Sequence, residues 1–181
     1  MESEKSESSA SWENRGGCKM SARLRRLEAD YRQLRLMYDS DPRVDIQPIG
    51  PVPADRYRIV YKVPSLRLDR AGQPIRVDVT TVELELPMEY PKVGPVARTM
   101  PGDVVFHPNF NSQKICLMDF WAPSTQLSDI VKDIGEMLQW QKLNIRSPLN
   151  AQAADWSQNN KEHYPLADYQ LGSKQIKIKL K

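Results

Sequence analysis

Apolar side chains recur at three- and four-residue steps through Leu24, Leu27, Tyr31, Leu34 and Tyr38. That is the period of a helix with one buried face, so a helix is expected from Ser21 to about Tyr38. Arg23, Arg25, Arg26, Arg32 and Arg35 cover much of the remainder, which by itself describes a solvated face. The period then drops towards two. Val44–Ile49, Tyr57–Leu68 and Ile75–Leu86 have strand character, the last alternating as Val77, Val79, then Val82, Leu84, Leu86, as half-buried antiparallel strands do. Asp69-Arg70-Ala71-Gly72-Gln73 supplies the turn between two of them. Pro87, Pro91, Pro95 and Pro101 remove backbone donors, so an irregular, proline-stiffened segment is expected there. The helical period returns with Leu127, Ile130, Val131, Ile134, Met137 and Leu138 on one side, Met137 being core packing. A third helix is expected from Leu149 to about Lys161. Helix, meander sheet, loop and helices describe an α+β fold.

Composition narrows the picture further. The 181 residues suffice for one domain with a real core and tails. Lysine and arginine total 26 against 23 acidic residues, a formal charge of +3, so nucleic acid is not an expected partner. No apolar run approaches the roughly 20 residues that span a bilayer, and the first residues are acidic and polar where a secretory signal is basic and then apolar. No membrane is expected, and the setting is intracellular, in the cytoplasm. Residues 1–20 have little to bury and are expected to be a disordered tail. Within them Arg15-Gly16-Gly17 resembles the end of a ubiquitin-like modifier, but it is internal with no such domain before it, and a flexible linker is the simpler reading. Cys18 and Cys116 make no disulfide framework. Two histidines and one core cysteine do not build a zinc site, and no metal is expected. The basic C-terminal tail, 167–181, alternates apolar residues with lysine, open to reading as an edge strand, a partner-binding segment, a modified tail or a solvated one.

The candidate chemistry lies in Phe106-His107-Pro108-Asn109-Phe110, followed nine residues after the histidine by Cys116 between Ile115 and Leu117, and then by Trp121-Ala122-Pro123. Tyr90-Pro91 and Gly94-Pro95-Val96 precede this set, and Ser147-Pro148-Leu149-Asn150-Ala151-Gln152-Ala153-Ala154 follows it. Taken together these motifs resemble the active-site signature of ubiquitin-conjugating enzymes, over roughly residues 21–166.

The resemblance implies the ubiquitin-conjugating fold and a cysteine that accepts a ubiquitin-like modifier from an activating enzyme as a thioester, then yields it to a lysine amine of a protein substrate. ATP would be used by the activating enzyme, and this chain needs no cofactor of its own. Whether a ligase takes part is left open. An ordinary cysteine thiol of pKa ~8.5 offers only a few per cent thiolate at neutral pH, which is tolerable for exchange between thioesters. Cys116 would be the nucleophile, and Lys114 would add positive charge nearby. Asn109 would donate to the tetrahedral oxyanion. Ser147, at the family's gate position, would help orient the lysine by hydrogen bonding, and Asp119 is a second candidate for that task. His107, with Pro108 and Trp121, would shape the turn and do no proton transfer, in contrast to a Cys–His hydrolase dyad. Arg23, Arg25, Arg26 and Arg32 would dock the acidic domain of the activating enzyme.

Departures from the family pattern accompany the matches. The loop from Cys116 to Trp121 is shorter than in typical eukaryotic members, the stretch Gln139–Arg146 is slightly longer, and a Gly-rich hairpin is missing. These features resemble a divergent branch, similar to bacterial conjugating enzymes encoded beside ubiquitin-like proteins and tied to antiphage defence. The reading from another class is a catalytically inactive module of the same fold that binds a modifier or scaffolds a conjugation complex, with Cys116 kept for packing.

Overall fold

The computed structural model describes residues 21–167 and 171–172. In chain order the elements are α1 (Ala22–Tyr38), β1 (Val44–Pro48), β2 (Arg56–Tyr61), β3 (Ser65–Leu68), β4 (Pro74–Val77), β5 (Thr80–Glu85), β6 (Val96–Thr99), α2 (Leu127–Leu138) and α3 (Ala151–Asn159), with a 3-10 turn at Lys161–His163. The α+β class expected from the sequence is what the chain adopts.

Helix α1 starts where Ser21 Oγ accepts from the Leu24 N–H at 3.1 Å, an N-cap that satisfies one of the helix's orphan donors. It buries Leu27, Leu34 and Tyr38 as its spacing predicts, while Leu24 stays largely exposed. Asp30 is also buried, accepting from Tyr90 Oη at 2.6 Å and Arg26 Nε at 2.8 Å. A buried carboxylate is tolerated only when paired in this way, and here the pairing ties α1 to the segment that leads towards Cys116.

Strands β1, β2, β5 and β6 form one antiparallel sheet in that order, with Ile59 opposite Val82 and Leu84 opposite Ala97. Strands β3 and β4 form a separate hairpin around the expected turn. Two expected strands are therefore divided. The run Tyr57–Leu68 breaks after Tyr61, where Pro64 has no N–H for a ladder, and Ile75–Leu86 breaks at Asp78-Val79. The β3–β4 hairpin is tied to β5 of the main sheet by a buried hydroxyl pair, Ser65 Oγ with Thr80 Oγ1 at 2.9 Å. The proline-rich stretch also needs correction, because β6 lies inside it. Pro95 and Pro101 flank that strand without interrupting it, and its residues pair with β5.

The main core lies between this sheet, α1 and α2, the last contributing Leu127, Ile130, Val131, Ile134, Met137 and Leu138. Tyr38 and Tyr61 cross it and donate to the Ser128 and Val131 carbonyls at 2.8 and 2.9 Å. The core takes in Leu171, past the domain boundary expected at residue 166, and Gly172 N donates to Asp41 Oδ2 at 3.0 Å. Leu171 fits only because position 135 is glycine: a Cβ there would stand 1.9 Å from its Cδ1. A second cluster gathers Leu66, Phe106, Trp140 and Ala153, with Trp156 and Tyr164 against it.

Helix α3 is shorter than Leu149–Lys161. The N–H groups of Leu149 and Asn150 go instead to the Pro108 carbonyl, at 2.8 and 3.2 Å, and Asn150 Oδ1 caps the helix by accepting from Ala153 N at 3.0 Å. The Ser-Pro-Leu-Asn element is thereby fastened to the His-Pro-Asn turn.

Candidate active site

The His-Pro-Asn segment forms a tight turn in which Asn109 N donates to His107 Nδ1 at 3.0 Å and Phe110 N to the His107 carbonyl at 3.1 Å. Asn111 Oδ1 then accepts from the N–H groups of Gln113 and Lys114, which reverses the chain. Phe110 bridges to Ile115, and Cys116 N donates to the Asn109 carbonyl at 2.8 Å. The nine-residue spacing thus folds back on itself, bringing Cys116 opposite Asn109. The Asn109 side chain is buried and held at both ends: Nδ2 donates to the Cys116 carbonyl at 3.2 Å, and Oδ1 accepts from Asn144 N at 2.8 Å.

His107 is fully buried, set edge-on against Phe110 and Trp140 with ring centroids 5.3 and 5.0 Å away. Burial pushes its pKa down from 6.5 to about 3. The Lys142 carbonyl opposes this, although no hydrogen bond of ordinary geometry satisfies Nε2. The His107 Nδ1 is engaged within the turn, and the ring lines neither depression beside the thiol. The other histidine, His163, is exposed in the 3-10 turn.

Cys116 is half-buried and free. Two open depressions flank it. The larger, about 450 Å³, has walls from Asn109, Met118, Asp119, Leu143, Asn144 and Arg146. The smaller, about 230 Å³, is bounded by Gly94, Pro95, Lys114, Trp121 and Leu149. Trp121 Nε1 donates to the Pro91 carbonyl at 2.8 Å, and its ring lies so close over Gly94 that a Cβ there would approach Cγ to 2.9 Å.

The structure therefore brings Cys116, Asn109 and Asp119 to one cavity and places Lys114 and Trp121 at the other. Ser147 is exposed beside them and lines neither; its N–H donates to Asn144 Oδ1 at 3.3 Å. The four arginines separate into two pairs. Arg23 reaches Asp55 and the Leu86 and Pro87 carbonyls, and Arg26 reaches Asp30 and the Pro123 and Thr125 carbonyls while lying over the Tyr90 ring. Arg25 and Arg32 are exposed on α1, Arg32 pairing with Glu28. Cys18, Gly16-Gly17 and the lysine-rich end lie outside the described residues. Among the described residues no cluster suits a metal ion, and no helix is long and apolar enough to cross a membrane.

Two contributors escaped the sequence reading. Asn144 is the partner of Asn109, and the only local hint was an asparagine in a loop. Trp140 backs His107 from the second cluster with a left-handed backbone, φ 58°, which a bulky residue adopts only when packing enforces it. No pattern in the sequence signals that conformation.

The site is thus a half-buried cysteine opposite a clamped asparagine, on a turn closed at a buried histidine, in a small α+β domain. The family model for ubiquitin-conjugating enzymes matches residues 72–168, more than half of the chain, and the chain belongs to that family. The match spans β4 to α3 and every residue lining the two depressions beside Cys116, while the four arginines of α1 precede it.

Proposed function

We propose that the chain carries a ubiquitin-like modifier as a thioester on Cys116 and transfers it to a lysine amine of a protein substrate. The observation that carries this reading is the half-buried Cys116 lining two open depressions, with the Asn109 amide clamped against the Cys116 carbonyl. A cysteine kept only for packing would be closed off.

In the first step the Cys116 thiolate attacks the thioester of a charged activating enzyme and displaces that enzyme's thiolate. In the second, the lysine nitrogen attacks the new thioester carbonyl. A tetrahedral oxyanion forms and collapses, expelling the Cys116 thiolate, and the nitrogen's proton passes to a nearby acceptor or to water. Asn109 Nδ2 uses one N–H on the Cys116 carbonyl and has a second for the oxyanion. Asp119, in the same cavity as the thiol, is the carboxylate suited to receive the amine. Arg25 and Arg32 offer charge to an acidic face of the activating enzyme, while Arg23 and Arg26 hold α1 in place for it. ATP is consumed by the activating enzyme, a ligase is a candidate further partner, and a cytoplasmic setting suits a free thiol. Kinship with the bacterial operon-encoded branch, and a role in antiphage defence, extends the proposal and rests on the short loop from Cys116 to Trp121.

The test is a charging reaction with ATP, an activating enzyme and its modifier, resolved without reductant. A reductant-sensitive band one modifier heavier, lost in Cys116→Ala and retained in Cys18→Ala, is the expected result. If the activating enzyme charges itself, no such band forms, and native Cys116 also resists iodoacetamide, the inactive binding module becomes the correct reading.

A further inference from the structure

We propose that Asn144 is a positioning residue that sets the Asp119 carboxylate for the acceptor amine and couples it to the Asn109 oxyanion donor across the thiol. The inference rests on the thioester reading of Cys116.

Asn144 is the hub of the larger cavity. Its N–H donates to Asn109 Oδ1 at 2.8 Å, its Nδ2 to Asp119 Oδ1 at 3.0 Å, and its Oδ1 accepts from Arg146 N at 3.0 Å and Ser147 N at 3.3 Å. Those last two bonds decide which way the amide faces. With both lone pairs of Oδ1 met by backbone donors, the NH₂ group must point at Asp119, because the flipped amide would set NH₂ against two N–H groups and oxygen against a carboxylate. Asp119 is otherwise an exposed side chain on a short loop, with free rotamers to lose before it could serve an amine. One carboxylate oxygen is held by Asn144, which leaves the other directed by that bond and available to an incoming ammonium or to the proton of the tetrahedral nitrogen. The same residue clamps Asn109 through its backbone, so donor and acceptor are set on one rigid support. Ser147, the gate residue by resemblance, is reached through its backbone N–H and belongs to the same turn.

The experiment loads Cys116 directly, by exchange with a short peptide ending in Gly-Gly presented as a mercaptoethanesulfonate thioester, and follows discharge to free lysine by mass spectrometry from about pH 6 to 9. Wild type, Asn144→Ala, Asn144→Ser, Asp119→Ala and the Asn144→Ala/Asp119→Ala double variant are compared, with thermal denaturation of each as a check on folding. Asn144→Ala should discharge about tenfold to a hundredfold more slowly near neutral pH, with the gap closing at high pH, where the free amine needs no acceptor. Asn144→Ser should show the same loss, since its hydroxyl can still cap the Arg146–Ser147 turn but ends one bond short of Asp119. Asp119→Ala should lose as much, and the double variant no more than either single change. Wild-type discharge in Asn144→Ala, recovery in Asn144→Ser, or multiplied losses in the double variant would each overturn the inference while leaving the thioester reading intact. A wild-type protein that cannot be loaded, or once loaded never yields to lysine, overturns that reading and the inference with it.

Discussion

Acidification should strip stability from this protein through His107, by an amount its burial sets. In the fold the imidazole is fully buried and neutral, with its pKa pushed from 6.5 down to about 3. The unfolded chain binds the proton near 6.5, so between those values only the unfolded state is protonated, and stability falls as pH falls. The contribution is complete above about pH 6.5 and erodes by about 1.4 kcal/mol per pH unit below it. At about pH 4.5, two units down, the loss is about 3 kcal/mol, a large share of a typical 5–15 kcal/mol domain stability. Asp41 and Glu83 titrate in the same direction. Burial works against the Asp41 carboxylate, but Arg43 and the Gly172 N–H still hold it below the usual range, and the Arg98 guanidinium does the same for Glu83. The comparison is therefore made against His107→Asn, whose Oδ1 replaces Nδ1 as acceptor for the Asn109 N–H. Urea unfolding at about pH 7.5 and 4.5 should show the wild type losing about 3 kcal/mol more than the variant over that interval. Imidazole NMR supplies a second readout, since the chain has only two histidines and His163 is the exposed one. Equal losses in both proteins, or a His107 resonance titrating with a midpoint above about pH 5, would refute the reasoning and reopen the Cys–His dyad.

Asn109→Ala should slow discharge of the loaded thioester to lysine by about 10²–10³-fold, the usual cost of removing one oxyanion donor, while loading itself changes little. An equal fall in both steps would reduce the amide to a scaffold. Gly135→Ala puts a methyl 1.9 Å from Leu171 Cδ1, so Leu171 must leave the core. The expected destabilisation is about 1–3 kcal/mol, with new proteolytic cleavage after residue 166; unchanged resistance to protease would show that Leu171 is not needed there. Trp140→Ala should cost about 3–5 kcal/mol in urea unfolding, because the ring packs on His107, Trp156 and Tyr164 at centroid distances of 4.6–5.3 Å. A loss under about 1 kcal/mol would mean that the second cluster does not support the His-Pro-Asn turn.

Much of this protein is determined by local pattern alone. The spacing of Leu27, Leu34 and Tyr38, and of Leu127 through Leu138, fixes two helices and the faces they bury, because a period of 3.6 is a property of consecutive residues. The motif from His107 to Trp121 is legible for a similar reason: the stretch from His107 to Cys116 folds back on itself, and several of the hydrogen bonds that shape it are made within it. Only the tertiary structure decided the rest. Whether a proline sits inside a strand or beside one depends on which neighbour offers a ladder, so β6 emerged between Pro95 and Pro101 and two long apolar runs were divided. An arginine on a helix reads as solvated until a distant carbonyl is brought within reach, as Leu86 and Pro87 are for Arg23 and Thr125 is for Arg26. Asn144, Trp140 and Leu171 have no periodicity to betray them. Their roles exist only because chain folding sets them against Asn109, His107 and Gly135, through contacts that follow from the closed shape of the core and from no stretch of neighbouring residues.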